Sequence, residues 1–321
     1  MTLFRLLTEG TRALERAGTP NAKQDAQQLL LAAFHLDMVH FLLNRMQELE
    51  DSSQNHAATE LYREMIGRRQ RRCPLQQILG SQEFMGMLFF VNRHVLIPRQ
   101  DTETLVEQVL ADTADWEADA ASQEERCLLD LCTGSGCIAV SLAARGRFSC
   151  VTATDISEEA LEVARRNIGA LLPEWRLSQE MPGKKERCIR LFCGDLFAAL
   201  QEEGERYDVI TSNPPYIPTA VIGTLEPEVK DHEPILALDG EADGLSYYRK
   251  IIANAGGYLK AGGRIYLEIG FDQGPAVCSL LEEAGYQDIR VHRDLPGKDR
   301  VVSARWPKEK GKSTIRREEN V

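Results

Sequence analysis

The sequence predicts an α/β fold: a seven-stranded, mostly parallel sheet covered by helices, preceded by a small helical bundle and a β-hairpin linker. Three observations carry this reading. The first seventy-odd residues show apolar stripes at helical spacing, and residues 82–91 are rich in strand formers around one glycine. From Cys127 onward, strand-like and helix-like runs alternate, the pattern that gives parallel strands joined by crossover helices in a three-layer domain.

Leu3, Leu6, Leu7 and Leu14 share one helical face, and Thr19-Pro20 signals the start of a second helix whose apolar positions run through 25–34. A further helix over 54–72 must stop before Cys73-Pro74, because the residue preceding a proline resists helical geometry. Helices this short need one another's apolar faces, so residues 1–73 are expected to form a bundle. The linker, 74–98, holds the hairpin with Gly86 at its centre. The α/β domain is expected over 99–307, with strands at 127–131, 150–154, 188–193, 207–212, 263–269, 287–293 and 300–306. The last two flank a short loop containing Pro296-Gly297-Lys298-Asp299 and should pair antiparallel. Residues 308–321 are charged and almost free of apolar side chains, which predicts a disordered tail.

Bulk properties narrow the function. No apolar run approaches a membrane span and the first residues lack a secretory leader pattern, so the chain reads as a cytoplasmic protein, taken as a monomer with no membrane partner. A net charge of −11 argues against a protein whose main task is gripping DNA or RNA, since phosphate binding needs clustered Lys and Arg. The charge is uneven: residues 1–80 carry ten Lys/Arg against nine Asp/Glu, the remainder 28 against 40. The one dense basic run, Arg68-Arg69-Gln70-Arg71-Arg72, reads as a solvated helix end, its cations favoured near a helix C-terminus; contact with a partner resembling an RNA-rich particle is the sharper alternative. The eight cysteines have no zinc-knuckle spacing and the six histidines are scattered, so no metal is expected; four or five of the thiols sit in apolar strand-like runs, which reads as small buried hydrophobes in a reducing compartment.

Leu128-Leu129-Asp130-Leu131-Cys132-Thr133-Gly134-Ser135-Gly136-Cys137-Ile138 reads as strand, glycine turn, helix. Gly134 and Gly136 let the backbone approach a ligand, and the following helix points free N–H groups at a carboxylate or phosphate. Two features turn the choice away from a dinucleotide. Neither frame of a G-x-G-x-x-G turn is complete: Cys132 stands where one frame has its first glycine, and Ala139 where the frame that starts at Gly134 has its third; Asp155 then ends the next strand, placed to accept both hydroxyls of a ribose. A ligand with ribose but no pyrophosphate fits, and S-adenosylmethionine is such a ligand. Asp130 could meet its ammonium or be satisfied by backbone N–H groups.

At the end of the strand Val209-Ile210-Thr211-Ser212 stands Asn213-Pro214-Pro215-Tyr216. Two prolines stop the strand, fix two backbone angles and remove two donors. The Asn213 side-chain carbonyl and the Pro214 backbone carbonyl can then converge as two acceptors for the two N–H donors of a primary amide or exocyclic amine. Tyr216 would pack over the planar group and exclude water. This corner suits methylation of a planar nitrogen.

Further segments give the chain a family likeness: Pro74-Leu75-Gln76-Gln77-Ile78-Leu79-Gly80, Phe84 with Gly86, Val95-Leu96-Ile97-Pro98-Arg99-Gln100-Asp101-Thr102-Glu103, His232-Glu233-Pro234 with Ala237-Leu238, and Asp243-Gly244-Leu245. Together with the corner, over roughly 20–306, they resemble the release-factor glutamine methyltransferases (the PrmC or HemK type). The resemblance implies a class I, Rossmann-like S-adenosylmethionine-dependent methyltransferase. Its substrate would be the glutamine in the Gly-Gly-Gln loop of class I peptide-chain release factors, methylated at the side-chain nitrogen, with the helical bundle helping to hold the release factor. Carried over by position, Cys132, Thr133, Gly134, Ser135, Gly136, Asp155, Asp195, Leu196 and Asn213 are cofactor contacts. Asn213, Pro214, Pro215, Tyr216 and Arg99 are substrate contacts, with Asn213, Pro214 and Tyr216 carrying catalysis.

The chain departs from the pattern at Cys132, usually glycine; at Gln100, often proline; at Leu196, a tryptophan in some members; and at 173–187, which looks like an insertion. Residues 99–103 read equally as a helix start and as active-site closure, and Glu268 as a hydrogen-bonded structural carboxylate. Competing readings are an adenine-N6 DNA methyltransferase, a ribosomal-protein glutamine methyltransferase, and a cofactor-binding adaptor without catalysis.

Overall fold

The computed structural model describes residues 1–117, 125–178, 187–200 and 204–307; the expected tail at 308–321 and the middle of the expected insertion lie outside them. The chain opens with five helices: α1 (Leu3–Arg16), α2 (Ala22–Phe34), α3 (Met38–Asn44), α4 (Ser53–Gln70) and α5 (Leu75–Leu79). Thr2 and Ser52 cap α1 and α4 by accepting from the N–H three residues on. The apolar stripe read from the sequence, Leu3, Leu6, Leu7 and Leu14, meets Leu29 and Leu30 of α2 and Tyr62 and Ile66 of α4 in one buried cluster. A hairpin follows, β1 (Ser81–Phe84) antiparallel to β2 (Met87–Phe90), turning through Met85 and Gly86, both at positive φ.

The remaining elements alternate: α6 (Gln100–Asp112), β3 (Cys127–Leu131), α7 (Cys137–Arg145), β4 (Cys150–Asp155), α8 (Glu158–Leu171), β5 (Arg176–Leu177), β6 (Cys188–Cys193), β7 (Tyr207–Ser212), the short α9 (Thr219–Ile222) and α10 (Pro227–Lys230), α11 (Ser246–Ala255), β8 (Leu259–Glu268), α12 (Gly274–Glu283), β9 (Gln287–Arg293) and β10 (Asp299–Arg305). Their sheet has the order β5-β6-β4-β3-β7-β8-β10-β9. All neighbours are parallel except β10, which runs antiparallel to both β8 and β9. Helices bury apolar faces on each side of the sheet, in two separate clusters.

Two details differ from the sequence reading. Among the described residues the sheet has eight strands, because part of the expected insertion returns beside β6 as the two-residue β5, bonded by Arg176 N–H to the Arg187 carbonyl at 3.0 Å and by Ser178 N–H to the Ile189 carbonyl at 3.1 Å. Two residues show no periodicity, so nothing in the sequence announces them. The strand expected at 263–269 begins four residues earlier, at Leu259, because a bulge opposite Tyr207–Val209 lets β8 carry Gly262 and Gly263 within the pairing. Among the described residues, no single helix is long and apolar enough to cross a membrane.

The basic run at 68–72 does end α4, with Gln70 and Arg71 exposed, but it is solvated only in part. Arg69 is buried, its side chain only 6% exposed, and pairs with Asp25 of α2 at 2.7 Å and Glu228 of α10 at 2.9 Å. Arg72 bonds Glu228 at 2.6 Å and Glu226 at 3.3 Å. These cations join the helical segment to the loop that follows β7.

Candidate active site

β4 and β6 follow β3 on one side of the sheet, whereas β7 and β8 lie on its other side. Strand order therefore reverses at β3, and ligands of open α/β sheets bind outside the carboxyl ends of the strands at such a point. A cavity of about 280 Å³ opens there. Its wall brings together Cys132, Thr133, Gly134 and Ser135 after β3, Asp155 ending β4, Asp195 and Leu196 after β6, Asn213 and Pro215 after β7, and Arg99 from the linker. Gly136, Pro214 and Tyr216 stand behind that wall.

The glycine turn is shaped around open space. Gly134 has φ +54° and lines the cavity, and a Cβ built there would meet no protein atom within 4 Å beyond its chain neighbours, so the turn lies open to the cavity. Its N–H donates to Asp155 Oδ2 at 2.8 Å, and the Ser157 N–H to Oδ1 at 2.9 Å. Burial raises the Asp155 carboxyl above the usual range, and these N–H groups partly restrain it. Each oxygen keeps a lone pair, enough to accept from ribose hydroxyls. Cys137 and Ile138, the first turn of α7, also face the cavity, as an anionic ligand group requires. These donors, the acceptor pair of Asp155 and the apolar Leu196 fit S-adenosylmethionine. Asp130 lies below the turn, fully buried, accepting from the Thr133 hydroxyl at 2.7 Å and the Thr211 hydroxyl at 2.8 Å. Burial pushes its carboxyl up to about 7; it braces the turn and does not reach the cavity wall.

Cys132 adopts φ +57°, a conformation glycine takes freely. For a residue with a side chain this costs about 1 kcal/mol or more. Cys132→Gly is therefore expected to raise Tm by about 1–2 °C in a calorimetric melt, glycine's extra unfolded-state entropy taking back part of the gain. A fall in Tm would mean that the apolar contacts of the side chain outweigh the strain.

At the corner, Asn213 Nδ2 donates to the Thr102 hydroxyl at 3.4 Å. Neither Asn213 Oδ1 nor the Pro214 carbonyl accepts a hydrogen bond from the described residues. Pro214 and Pro215 are buried and Tyr216 is half-buried. The Tyr216 hydroxyl lies 3.5 Å from Glu268 Oε1, and its backbone carbonyl accepts from Gln273 Nε2 at 3.0 Å. Gly244, at φ +73°, passes so close that a Cβ would stand 2.3 Å from the Tyr216 carbonyl oxygen, which explains the glycine of Asp243-Gly244-Leu245.

Arg99 is committed within the protein: Nη2 bonds both carboxylate oxygens of Glu233, at 2.6 and 2.7 Å. Burial raises the Glu233 carboxyl even so, with Arg99 opposing. This pair pins the 232–238 loop, whose Pro234, Leu236 and Ala237 line the cavity. Sequence reasoning named Thr102 only within the 99–103 segment and gave no role to Tyr247 or Asn167. Thr102 and Tyr247 line the cavity, and the buried Asn167 of α8 accepts from Phe90 N–H at 2.7 Å while donating to the Ser135 carbonyl at 2.9 Å, tying the hairpin to the glycine turn. No local spacing signals any of them.

Residues 5–80 match the family model described as PrmC N-terminal domain, and residues 117–224 that described as Methyltransferase small domain. The Release factor glutamine methyltransferase of Geobacter sulfurreducens is 38% identical over 303 residues, covering 94% of this chain and 96% of the relative. Its namesake from Cereibacter sphaeroides is 40% identical over 294 residues, 92% and 95% of the two chains. That from Moorella thermoacetica is 40% identical over 305 residues, 95% and 98%.

Proposed function

This chain belongs to the release factor glutamine methyltransferase family, and from that premise we propose that it methylates the side-chain amide nitrogen of the glutamine in the Gly-Gly-Gln loop of class I peptide-chain release factors. The fold is the class I, Rossmann-like fold of S-adenosylmethionine-dependent methyltransferases. S-adenosylmethionine, held against Cys132, Thr133, Gly134, Ser135, Asp155, Asp195 and Leu196, supplies a methyl group activated by its sulfonium.

The observation that carries the reading is the unclaimed acceptor Asn213 Oδ1, on a residue that lines the cavity, with the adjoining Pro214 carbonyl likewise accepting no hydrogen bond from the described residues. An amide nitrogen is a poor nucleophile because its lone pair is delocalised. Two fixed acceptors on its N–H groups turn that lone pair towards the methyl donor and stabilise positive charge as it develops. No side-chain base is needed beforehand, since the proton becomes acidic only as the nitrogen is alkylated. The half-buried Tyr216 then closes the corner against water. In this reading the N-terminal helices hold the body of the release factor, and the exposed Val39, Leu42, Leu43 and Met46 supply the apolar part of that face.

The test is to incubate the protein with labelled S-adenosylmethionine and either purified release factor or adenine-rich DNA, then to locate the methyl by peptide mass spectrometry. Label on the glutamine of the Gly-Gly-Gln peptide is expected. Label on DNA alone, or on a ribosomal protein in preference to the release factor, overturns the assignment.

A further inference from the structure

The stretch 231–237, between the Asn213 corner and α11, buries its charge and not its apolar side chains. Ile235 and Leu236 are 53% and 56% exposed, whereas Glu233 is the only buried residue of the seven, its side chain 1% exposed. Folding ordinarily selects the reverse. Arg99, the residue before α6, meets both Glu233 oxygens through Nη2, at 2.6 and 2.7 Å. On either side the backbone is fixed: the His232 carbonyl accepts from Gln77 Nε2 at 3.1 Å, and the Leu238 carbonyl from Ile217 N–H at 3.0 Å. Between those points, Pro234, Leu236 and Ala237 line the cofactor cavity, and among the described residues the Arg99–Glu233 bond is the only side-chain tether.

We infer that Arg99 is a positioning residue for S-adenosylmethionine binding and not a substrate contact: through Glu233 it holds Pro234, Leu236 and Ala237 in the cavity wall. The inference rests on the cavity being the cofactor site. The two partners are not equivalent. Arg99 keeps 40% of its side chain in water and stays solvated without Glu233. Glu233 without Arg99 is an uncompensated charge inside the protein, the costly way to break such a pair. Glu233 also lines a second cavity, of about 330 Å³. Arg69, the other cation there, is committed to Asp25 and Glu228, while Asp25, Glu226 and Glu228 add only like charge. The ionised carboxylate therefore reaches water only by moving its loop outwards, and the three wall residues move with it.

The experiment compares Arg99→Met, Glu233→Gln, their double variant and Asp155→Ala at about pH 8.5, well above the carboxylate range. The readouts are calorimetric titration with S-adenosylmethionine, thermal melts, and KM for purified release factor. Arg99→Met, which keeps the stem and loses the charge, is expected to weaken cofactor binding about 30-fold, since affinity scales with the fraction of molecules whose wall stays in place. Glu233→Gln leaves an acceptor for Arg99 and no buried charge, so a loss of only about threefold is expected. Adding Glu233→Gln to Arg99→Met should bring affinity back to within about fivefold of the unsubstituted protein, because no carboxylate remains to be hydrated. Absence of that rescue overturns the inference, as does an Arg99→Met that raises KM for the release factor with cofactor affinity intact. If Arg99→Met does not fold, a double variant that also fails to fold, or that binds cofactor more than about tenfold weaker, overturns it instead. Unchanged cofactor affinity in Asp155→Ala sinks the assignment of the cavity itself; a weakened Asp155→Ala beside a failed rescue sinks only the role of Arg99.

Discussion

Asn213→Ala is expected to lower kcat for release-factor methylation by about a thousandfold, at the upper end of what one pre-aimed polar group contributes in a dry site. The side chain supplies one of only two acceptors for the substrate amide, and alanine leaves that N–H unpaired just as charge develops on nitrogen. It also strands the Thr102 hydroxyl, whose 3.4 Å bond from Asn213 Nδ2 is lost. Cofactor binding should weaken but stay measurable, because the glycine turn, Asp155 and Leu196 are untouched. Rapid-quench kinetics with saturating cofactor, paired with calorimetry, separates the two effects. A near-normal kcat would refute the two-acceptor account of the corner.

The largest stability effect is expected at Arg69. Arg69→Leu removes the cation shared by Asp25 and Glu228 and the donor to the Cys73 carbonyl at 3.2 Å. Breaking a buried pair from one side costs about 3–5 kcal/mol, because the partner charge stays behind uncompensated. Replacing both Arg69 and Asp25 with leucine should restore much of the loss, since apolar pairs of similar volume often substitute for buried ions. Denaturant titration of the two variants checks this. If Arg69→Leu melts like the unsubstituted protein, the network contributes nothing to stability. Because Glu228 belongs to the loop after the Asn213 corner, the single variant should also raise KM for intact release factor more than for a short Gly-Gly-Gln peptide.

How much of this was legible in the sequence depended on how far each interaction reaches along the chain. The strand–turn–helix around Gly134 and the corner at Asn213 are local: their glycines and prolines set backbone angles within a few residues, and their placement at strand ends follows from the alternating pattern. The basic run was misread in part, for the opposite reason. A row of arginines looks solvated when its counter-charges are out of view, and these lie 44 residues back at Asp25 and 156 residues on at Glu228. Leu259 was missed as the start of β8 because Gly262 and Gly263 look like a turn until the pairing is seen to continue across the extra β8 residues that bulge opposite Tyr207–Val209.

The sequence by itself determined the fold class and the family, and it suggested the chemistry proposed for the corner, because hydrophobic period, turn residues and short motifs act through neighbours in the chain. Only the tertiary structure decided what surrounds those motifs. It engages Arg99 with Glu233, turns Asp130 beneath the turn, and places Thr102, 111 residues from Asn213 in sequence, against its amide. It also puts Glu268 behind Tyr216. Which of a buried side chain's polar atoms are already satisfied is set by partners that sheet register and loop closure bring together, and no pattern of spacing in one chain carries that information.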